Sequence, residues 1–543
     1  MSPRRLDAIA LRDWAHTSVD ELIAHTDELN QLNVFPVADA DTGTNMLFTM
    51  HSACASADGV PVTADILTVA SALAEGALHG ARGNSGVILS QILRGVADVV
   101  AEAALERRGV LGDVDGQVLA AGLRHAVALV VTSVGETVPG TIVSVLAAAA
   151  GAAEHAAGSG RNLADVVAAT CEAAVIALDE TPRQLKVLAD AGVVDAGGRG
   201  LLVLLDAMTT TLTGQVPHRP QYRRAHPHTA VVDTKVAPPQ FEVMYLLSGC
   251  DHAGIERLRE RLETLGESVT IAASGEGDHY SVHVHADDAG AAVEAALNIG
   301  APSRIQVTAL AGSAGARPSG GWSRARAVLA IVDGDGAEEL FAGEGANVLR
   351  PEADAAISAQ RLLRALVDVG AAQVMVLPNG YVAAEELVAG CTAAIGWGID
   401  VVPVPAGSMV QGLAALAVHD AARQAVDDGY SMARAAAAAR HGSVRVATEE
   451  ALTWAGMCKP GDGLGIAGDE VLIVGGDLAA AGAGLIDLLL SSGGELVTVL
   501  TGADADTAVG MALQDHVHRE HLGTELVTYH TGHRGDALLI GVE

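Results

Sequence analysis

Two aspartates two residues apart, Asp39 and Asp41, lie in the run Asn33-Val-Phe-Pro-Val-Ala-Asp-Ala-Asp-Thr-Gly-Thr-Asn-Met, between the breakers Pro36 and Gly43. In an extended loop, residues i and i+2 point the same way, so the pair can present both carboxylates to one hard cation. Mg²⁺ suits such a pair: it takes oxygen ligands, keeps several waters, and is commonly completed by nucleotide phosphates. Thr42, Gly43, Thr44 and Asn45 follow with hydroxyls, an amide and room for close backbone approach, and helix-favouring residues begin at Met46. A loop feeding a helix N-terminus there would favour an anion. The same residues also suit an acidic turn that caps a helix, and this segment alone leaves both readings open.

Three further loops have related chemistry. Gly80-Ala-Arg82-Gly83-Asn84-Ser85-Gly86 precedes an apolar helical stretch, so backbone N–H groups and the Ser85 hydroxyl can converge on a phosphate; helix capping is the alternative. Pro139-Gly140-Thr141-Ile142 opens another helix, and Asp195-Ala-Gly197-Gly198-Arg199-Gly200 follows Val193-Val194. The only lysines are Lys186, Lys235 and Lys459, none in a Gly-x-x-x-x-Gly-Lys-[Ser/Thr] context, which excludes a P-loop. Charge on a transferring phosphoryl group would then be met by metal ions, helix N-termini and Arg82. Separately, Ser281-Val-His283-Val-His285 puts two imidazoles on one face of a strand, either a polar sheet face or part of a metal site.

The elements that must position these loops differ along the chain. Residues 1–213 predict helix after helix, with alanine-rich amphipathic patterns at 66–79, 86–106, 115–134, 141–157 and 162–178 and the polar motifs at the breaks. Residues 214–239 predict a linker. From Phe241 the order is strand 241–248, helix 252–265, strands 268–273 and 279–285, helix 288–299 and strand 303–309, a βαββαβ order that predicts a ferredoxin-like unit over 240–310. A Gly/Ser-rich stretch marks a second linker, 311–325. Beyond it, strands at 327–332, 373–377 and 401–404 alternate with helices, and strands near 470–474, 496–500 and 537–542 follow, predicting an α/β domain over 326–543.

Composition narrows the function. The 33 basic and 66 acidic residues give a formal charge of −33, which argues against a nucleic-acid partner, since that affinity rests on neutralising phosphates. Five scattered cysteines without Cys-x-x-Cys spacing fit a reducing cytoplasm. No uninterrupted apolar run approaches a membrane span, the first residues do not predict a signal peptide, and no stable membrane insertion is expected.

The stretch Leu32–Met50 resembles the nucleotide-binding signature of the L-subunit type of dihydroxyacetone kinases, in the variant carried by the ATP-binding subunit of bacterial fatty acid kinase. The other three loops resemble, in order, family positions around the nucleotide. Leu377-Pro378-Asn379 and Gln411-Gly412-Leu413 extend the likeness into a DegV-like C-terminal region, so that it covers nearly the whole chain. It departs at Ala38 and Ala40, where the family has Pro and Gly, and at Leu349–Ala353, which replaces a Gly-Gly-Gln-Thr-Met-type loop.

The resemblance implies a multidomain α and α/β protein: an antiparallel helical ATP- and Mg²⁺-binding domain, a small α+β middle domain, and a C-terminal α/β domain that docks a partner. It implies Asp39 and Asp41 as catalytic and metal-holding, with Asn33 a further polar contributor, and Thr42–Asn45, Gly83–Gly86, Gly140, Thr141, Asp195 and Gly197 around ATP. The family carries the histidine pair with a cysteine on the domain's first strand; Glu242 stands there here, so Glu242, His283 and His285 form a candidate zinc site, expected to lie away from phosphoryl transfer. The activity implied is transfer of the γ-phosphoryl of ATP to a fatty acid carboxylate, with the acid carried by a separate fatty-acid-binding DegV-like protein and the kinase a cytoplasmic homodimer. The alternatives are a kinase for dihydroxyacetone or another small polyol, and a non-catalytic ATP-binding regulator.

Overall fold

The computed structural model describes all residues except 1–3, 36–39, 108–110, 136, 221, 223–238, 275–278, 311–321, 323, 353–354 and 469. Asp39, Ala38 and most of both expected linkers thus lie outside the described residues. The chain divides into two compact units, Met1–Ala316 and Arg317–Glu543.

The first unit opens with α1 (Ala8–Leu32), α2 (Thr42–Asp58), α3 (Ile66–His79), α4 (Gly83–Glu106), α5 (Gly116–Val134), α6 (Ile142–Gly158), α7 (Leu163–Gln184), α8 (Lys186–Ala191) and α9 (Ala196–Thr213). Consecutive helices from α1 to α7 pack as neighbours through short connections, the arrangement of an antiparallel bundle, and α9 returns against α1, α6 and α7. Small residues set the spacing: a Cβ on Gly95 of α4 would meet the Ala126 backbone of α5 at 2.5 Å. By length and composition alone α5 could cross a membrane, but it packs between α4 and α6.

The antiparallel arrangement sends α2, α4 and α6 in one direction and α1, α3, α5 and α7 in the other. The second set start on side-chain caps: Asp7, Asp65, Asp115 and Asn162 each accept an amide of their own first turn. The N-cap residues of α2, α4 and α6, which are Asp41, Arg82 and Thr141, make no such bond.

The same unit continues with β1 (Phe241–Ser248), α10 (His252–Leu265), β2 (Gly266–Ala273), β3 (His279–Ala286), α11 (Ala289–Leu297) and β4 (Ala301–Ala309). The strand order β2-β3-β1-β4 is antiparallel throughout, the ferredoxin-like arrangement that the element order predicts. Period-two alternation sends Val243, Tyr245 and Leu247 to the core beneath α10 and α11. Met244 and Ala272 face the other way and pack with Leu78 and Val87 of the helical bundle. That buried back face is why the helical region and the middle region form one compact unit.

The second unit contains β5 (Arg324–Ile331), α12 (Asp335–Gly343), β6 (Asn347–Leu349), α13 (Ala359–Asp368), β7 (Ala371–Leu377), α14 (Ala384–Gly396), β8 (Asp400–Pro403), α15 (Met409–Ala417) and α16 (Ala425–Ala438). Then come β9 (Arg440–Val446), β10 (Ala451–Thr453), β11 (Gly456–Cys458), β12 (Gly463–Ala467), β13 (Glu470–Gly475), α17 (Leu478–Leu490), β14 (Leu496–Thr501), α18 (Thr507–Glu520), β15 (Glu525–His530) and β16 (Leu538–Val542). One sheet, β6-β5-β7-β8, is parallel; the other, β13-β12-β9-β16-β14-β15, is mixed, with β14 and β15 its parallel pair. The protein is therefore a multidomain α and α/β fold.

Candidate functional site

The end of the bundle where α2, α4, α6 and α9 begin surrounds a cavity of about 370 Å³. Thr42, Asn84, Ser85, Thr141, Asp195 and Gly197 line it, one or two from each of the four loops. Gly43, Thr44, Asn45, Gly83, Gly86 and Gly140 belong to the same turns and set their packing. Gly43 meets α1 so closely that a Cβ would lie 2.7 Å from the Thr26 carbonyl oxygen. Gly83 has φ +55°, and its missing side chain leaves room for the Asn45 carboxamide. Asn45 and Thr49 of α2 thus hold the second loop: the Arg82 amide donates to Thr49 Oγ1 at 3.3 Å.

Neighbouring helices support these starts with neutral oxygens. Asn30 near the end of α1 accepts the Gly43 and Thr44 amides at 2.8 and 3.3 Å and donates to Thr44 Oγ1 at 3.0 Å. Its role was not foreseen from sequence, although Asn30 precedes the motif by only three residues. Asn33 is buried and closes α1, its amide donating to the Asn30 carbonyl. Asp41 is the N-cap position of α2, and Ala40 before it adopts φ +57°, the left-handed region where the resembling family places glycine.

Asp195 caps α9 by accepting the Gly198 amide at 2.7 Å, and its carboxyl is only 6% exposed. Burial pushes that carboxyl up to about 6, against the opposing pull of the Gly198 and Ile142 amides. One turn further, the buried Arg199 pairs with Glu28 of α1 at 3.1 Å. Burial alone would raise the Glu28 carboxyl, but the His25 and Arg199 bonds hold it down at about 2. This ion pair fixes the start of α9 against α1.

The middle region supplies the opposite wall: Glu263 at the end of α10 and Gly266–Thr270 of β2. Thr270 Oγ1 donates to Asn84 Oδ1, joining the two walls. These residues carried no sequence signal, because they become site residues only when the back of the sheet docks on α4. Among the described lining residues there is neither Lys nor Arg. Arg82, expected to face phosphate, instead stacks its guanidinium 3.9 Å above the Phe48 ring. Burial lowers it to about 10 while the nearby Glu242 charge opposes that shift.

Glu242, His283 and His285 do come together: Glu242 Oε1 lies 3.0 Å from His283 Nε2 and 4.0 Å from His285 Nε2. Burial, with His283 alongside, pushes His285 down to about 3. Burial raises the Glu242 carboxyl, but the hydrogen bond and charge of His283, with His285 and Arg82, leave it below its ordinary range. The expectation that this cluster lies away from every nucleotide motif is corrected. His283 Nδ1 donates at 3.0 Å to the carbonyl of Ser268, which lines the cavity, and Glu242 adjoins the 82–83 turn. The even-numbered positions of β1 and odd-numbered positions of β3 share the docking face, so sequence distance across the linker was no guide.

In the second unit, Asn379 has φ +50° and donates to the Ile331 carbonyl at 3.0 Å. Its Oδ1 lies over Gly412, where a Cβ would sit 2.1 Å away, so the two motifs at strand and helix ends interlock.

The chain matches three family models in sequence order: a DAK2 domain over residues 36–210, the FakA-like middle domain of fatty acid kinase over 238–316, and the FakA-like C-terminal domain over 327–543. The chain belongs to the FakA-like family of fatty acid kinase proteins. Protein YloV of Bacillus subtilis (strain 168) is 27% identical over 556 residues, covering 98% of each chain. An uncharacterized protein of Staphylococcus haemolyticus is 25% identical over 555 residues, again covering 98% of each. Solved structures with partial likeness include the DegV family protein Cg2579 from Corynebacterium glutamicum (TM-score 0.32, 10% identity, 40% of this chain and 97% of that one) and the dihydroxyacetone kinase of C. freundii (TM-score 0.30, 17% identity, 39% and 35%). Membership of this family supports a phosphotransferase of the dihydroxyacetone kinase type.

Proposed function

We propose that this chain is the ATP-dependent component of a fatty acid kinase, which transfers the γ-phosphoryl of ATP to the carboxylate of a fatty acid presented by a separate DegV-like lipid-binding protein. The observation that carries the reading is the cavity itself, where three helices begin without a carboxylate cap making a bond to their own first turn, so their amide ends favour an anion. Its donors fit a nucleotide polyphosphate: Ser85 and Thr141 hydroxyls, the Asn84 carboxamide and backbone amides at glycine-lined turns. Without Lys or Arg in the described wall, the phosphates require cations, and Asp41 with Asp39 would hold Mg²⁺. When bound, Mg²⁺ supplies the charge neutralisation that phosphoryl transfer needs. The chain's own residues position the phosphates and seal the site through the Thr270–Asn84 contact.

A zinc-class ion at Glu242, His283 and His285 belongs to the same proposal. His283 Nδ1 carries its proton toward Ser268, which directs the Nε2 lone pair at the Glu242 carboxylate. Only a cation, proton or metal, makes that approach favourable, and an N–H held by a carbonyl is the usual support of a metal-bound histidine. The reading also includes a cytoplasmic homodimer, for which β4 offers an exposed edge bearing Ile305 and Val307. Docking of the lipid-binding partner on the second unit is supported by its exposed hairpin side chains Leu452 and Trp454.

ADP formation by the full chain with Mg²⁺ and ATP, measured with fatty acid alone, with fatty acid on a DegV-type binding protein, and with dihydroxyacetone, tests the reading. ADP release and hydroxylamine-trappable acyl phosphate only in the second case are expected. Turnover with dihydroxyacetone instead, or nucleotide binding without turnover in any case, would replace the fatty acid assignment by the polyol kinase or the regulator.

A further inference from the structure

Far along α2 from the nucleotide loop, three side chains of metal-ligand type meet across the α1–α2 contact. Cys54 Sγ lies 3.4 Å from His16 Nδ1 and 3.9 Å from Asp58 Oδ2, and His16 Nε2 lies 3.1 Å from Asp58 Oδ1. One ligand atom from each residue fits within 4.8 Å of the others. Cys54 and Asp58 are four apart on α2 and therefore share a face; His16 comes from α1. We propose that these residues form a divalent transition-metal site of the zinc class that pins the C-terminal half of α2 to α1.

Three observations support it. With Zn–S near about 2.3 Å and Zn–N or Zn–O near about 2.1 Å, tetrahedral ligands stand roughly 3.4–3.6 Å apart, and the two distances from the sulfur bracket that value. The Asp487–His516–His521 cluster of the second unit has N···O separations of 2.8 and 2.6 Å, direct hydrogen-bond lengths that leave no space for an ion. Thiolate, imidazole and carboxylate together are a borderline-soft set that selects zinc over magnesium. Finally, Cys54 is buried while the side chains of His16 and Asp58 are 44% and 47% exposed, so an ion would sit at the rim with an open position for water.

The local scaffold is already braced. Arg12, one turn before His16, donates to the carbonyls of Ala57, Val60 and Pro61 at the end of α2, which commits its charge to those oxygens. At a rise of about 1.5 Å per residue, Cys54 lies roughly 18 Å along α2 from Thr42, so this site is separate from the nucleotide cavity.

The test uses metal-free full-length protein titrated with Co²⁺. A thiolate ligand gives a near-ultraviolet sulfur-to-cobalt charge-transfer band, and the Glu242–His283–His285 cluster contains no sulfur, so the two sites are read separately. One equivalent of Co²⁺ should develop the band, Zn²⁺ should displace it, Cys54→Ser should abolish it, and Asp58→Asn should weaken binding at least about tenfold. The band should persist in a His283→Gln/His285→Gln protein. Equal metal-free melting temperatures for parent and Asp58→Asn would exclude misfolding as the cause of the loss. Absence of the band in the parent, or its survival in Cys54→Ser, would overturn the site and leave a hydrogen-bonded thiol–imidazole–carboxylate relay.

Discussion

The two ends of the helical bundle are built by different rules. At one end α1, α3, α5 and α7 start on Asp7, Asp65, Asp115 and Asn162, each satisfying its own helix. At the other, the N-cap residues of α2, α4 and α6 provide no such bond, and support comes from neutral groups on a neighbouring helix, Asn30 and Thr49. A carboxylate cap cancels the partial positive charge of a helix start; its absence keeps that charge available to an anion. Asp195 is the described cap carboxylate at the cavity end, and burial holds it up near 6. At the far end, hydrogen bonds led by the Thr68 amide lower Asp65; burial pushes Asp115 up, but Arg107 and two backbone amides bring it below its ordinary value. One end is optimised for helix stability, the other for a negatively charged guest.

Removing the carboxylate beside the cavity that no helix uses as a cap should have the largest effect. Asp41→Ala should lower ATP turnover at least about 100-fold, the scale of losing a preorganised charge contact in a phosphoryl-transfer site. Its melting temperature should stay close to the parent's, because Asp41 makes no side-chain cap bond. Turnover with Mg²⁺ at the parent's rate would remove Asp41 from the metal assignment.

Asp195→Asn should change the pH dependence of stability. A buried carboxyl whose value rises from 3.8 to about 6 in the folded state contributes stability that is fully present below pH 3.8 and is lost as pH rises through 6. At pH 8 that loss amounts to up to about 3 kcal/mol. The Asn variant, which can still accept the Gly198 amide, should therefore be more stable than the parent at pH 8 and lose that advantage by pH 4. Denaturant midpoints across pH 4–8 measure this; parallel curves would show that Asp195 is ionised and compensated throughout.

Much of this architecture is written locally. The limits of α3, β1 and α10 agree with periodicity and caps, because Asp65 and Asp251 punctuate sharply amphipathic runs. The four loops that gather at the cavity are visible as Gly-bearing breaks, since glycine is required where Gly43 and Gly83 meet a neighbour's backbone or carboxamide. What could not be seen is long-range. The Glu263 and Gly266–Thr270 wall, the turn of Arg82 toward Phe48 and the closeness of His283 to the cavity all follow from docking the sheet on α4. In the second unit, the six-stranded sheet is mixed because β9 and β12 return through short glycine-containing connections that lack strand-like alternation.

Importing the far end's rule into the cavity should cost binding while sparing the fold. Thr141→Asp gives α6 a favoured cap residue, yet adds a negative charge to the wall that already holds Asp195. ATP affinity should fall about tenfold, the equivalent of about 1.4 kcal/mol, with an unchanged or slightly raised melting temperature. Unchanged nucleotide affinity would mean that the start of α6 does not face phosphate.

The reciprocal change should be the smallest. Asp65 accepts the Thr68 amide at 2.9 Å and the Thr68 hydroxyl at 2.7 Å, at the end of the bundle away from the cavity. Asp65→Ala should remove about 1 kcal/mol of stability, the usual cost of losing an N-cap, and leave ATP affinity and turnover alone. The sign with pH is opposite to that of Asp195. Because the folded state lowers the Asp65 carboxyl, its contribution is present above its unfolded value of 3.8 and disappears as pH falls through the lowered folded value. The gap between parent and Asp65→Ala should therefore be widest near neutrality and close in strong acid, whereas the gap opened by Asp195→Asn closes by pH 4. If Asp65→Ala instead weakened nucleotide binding as much as Thr141→Asp, the caps of both ends would act on the site, and the division of the bundle into a stabilising end and a binding end would fail.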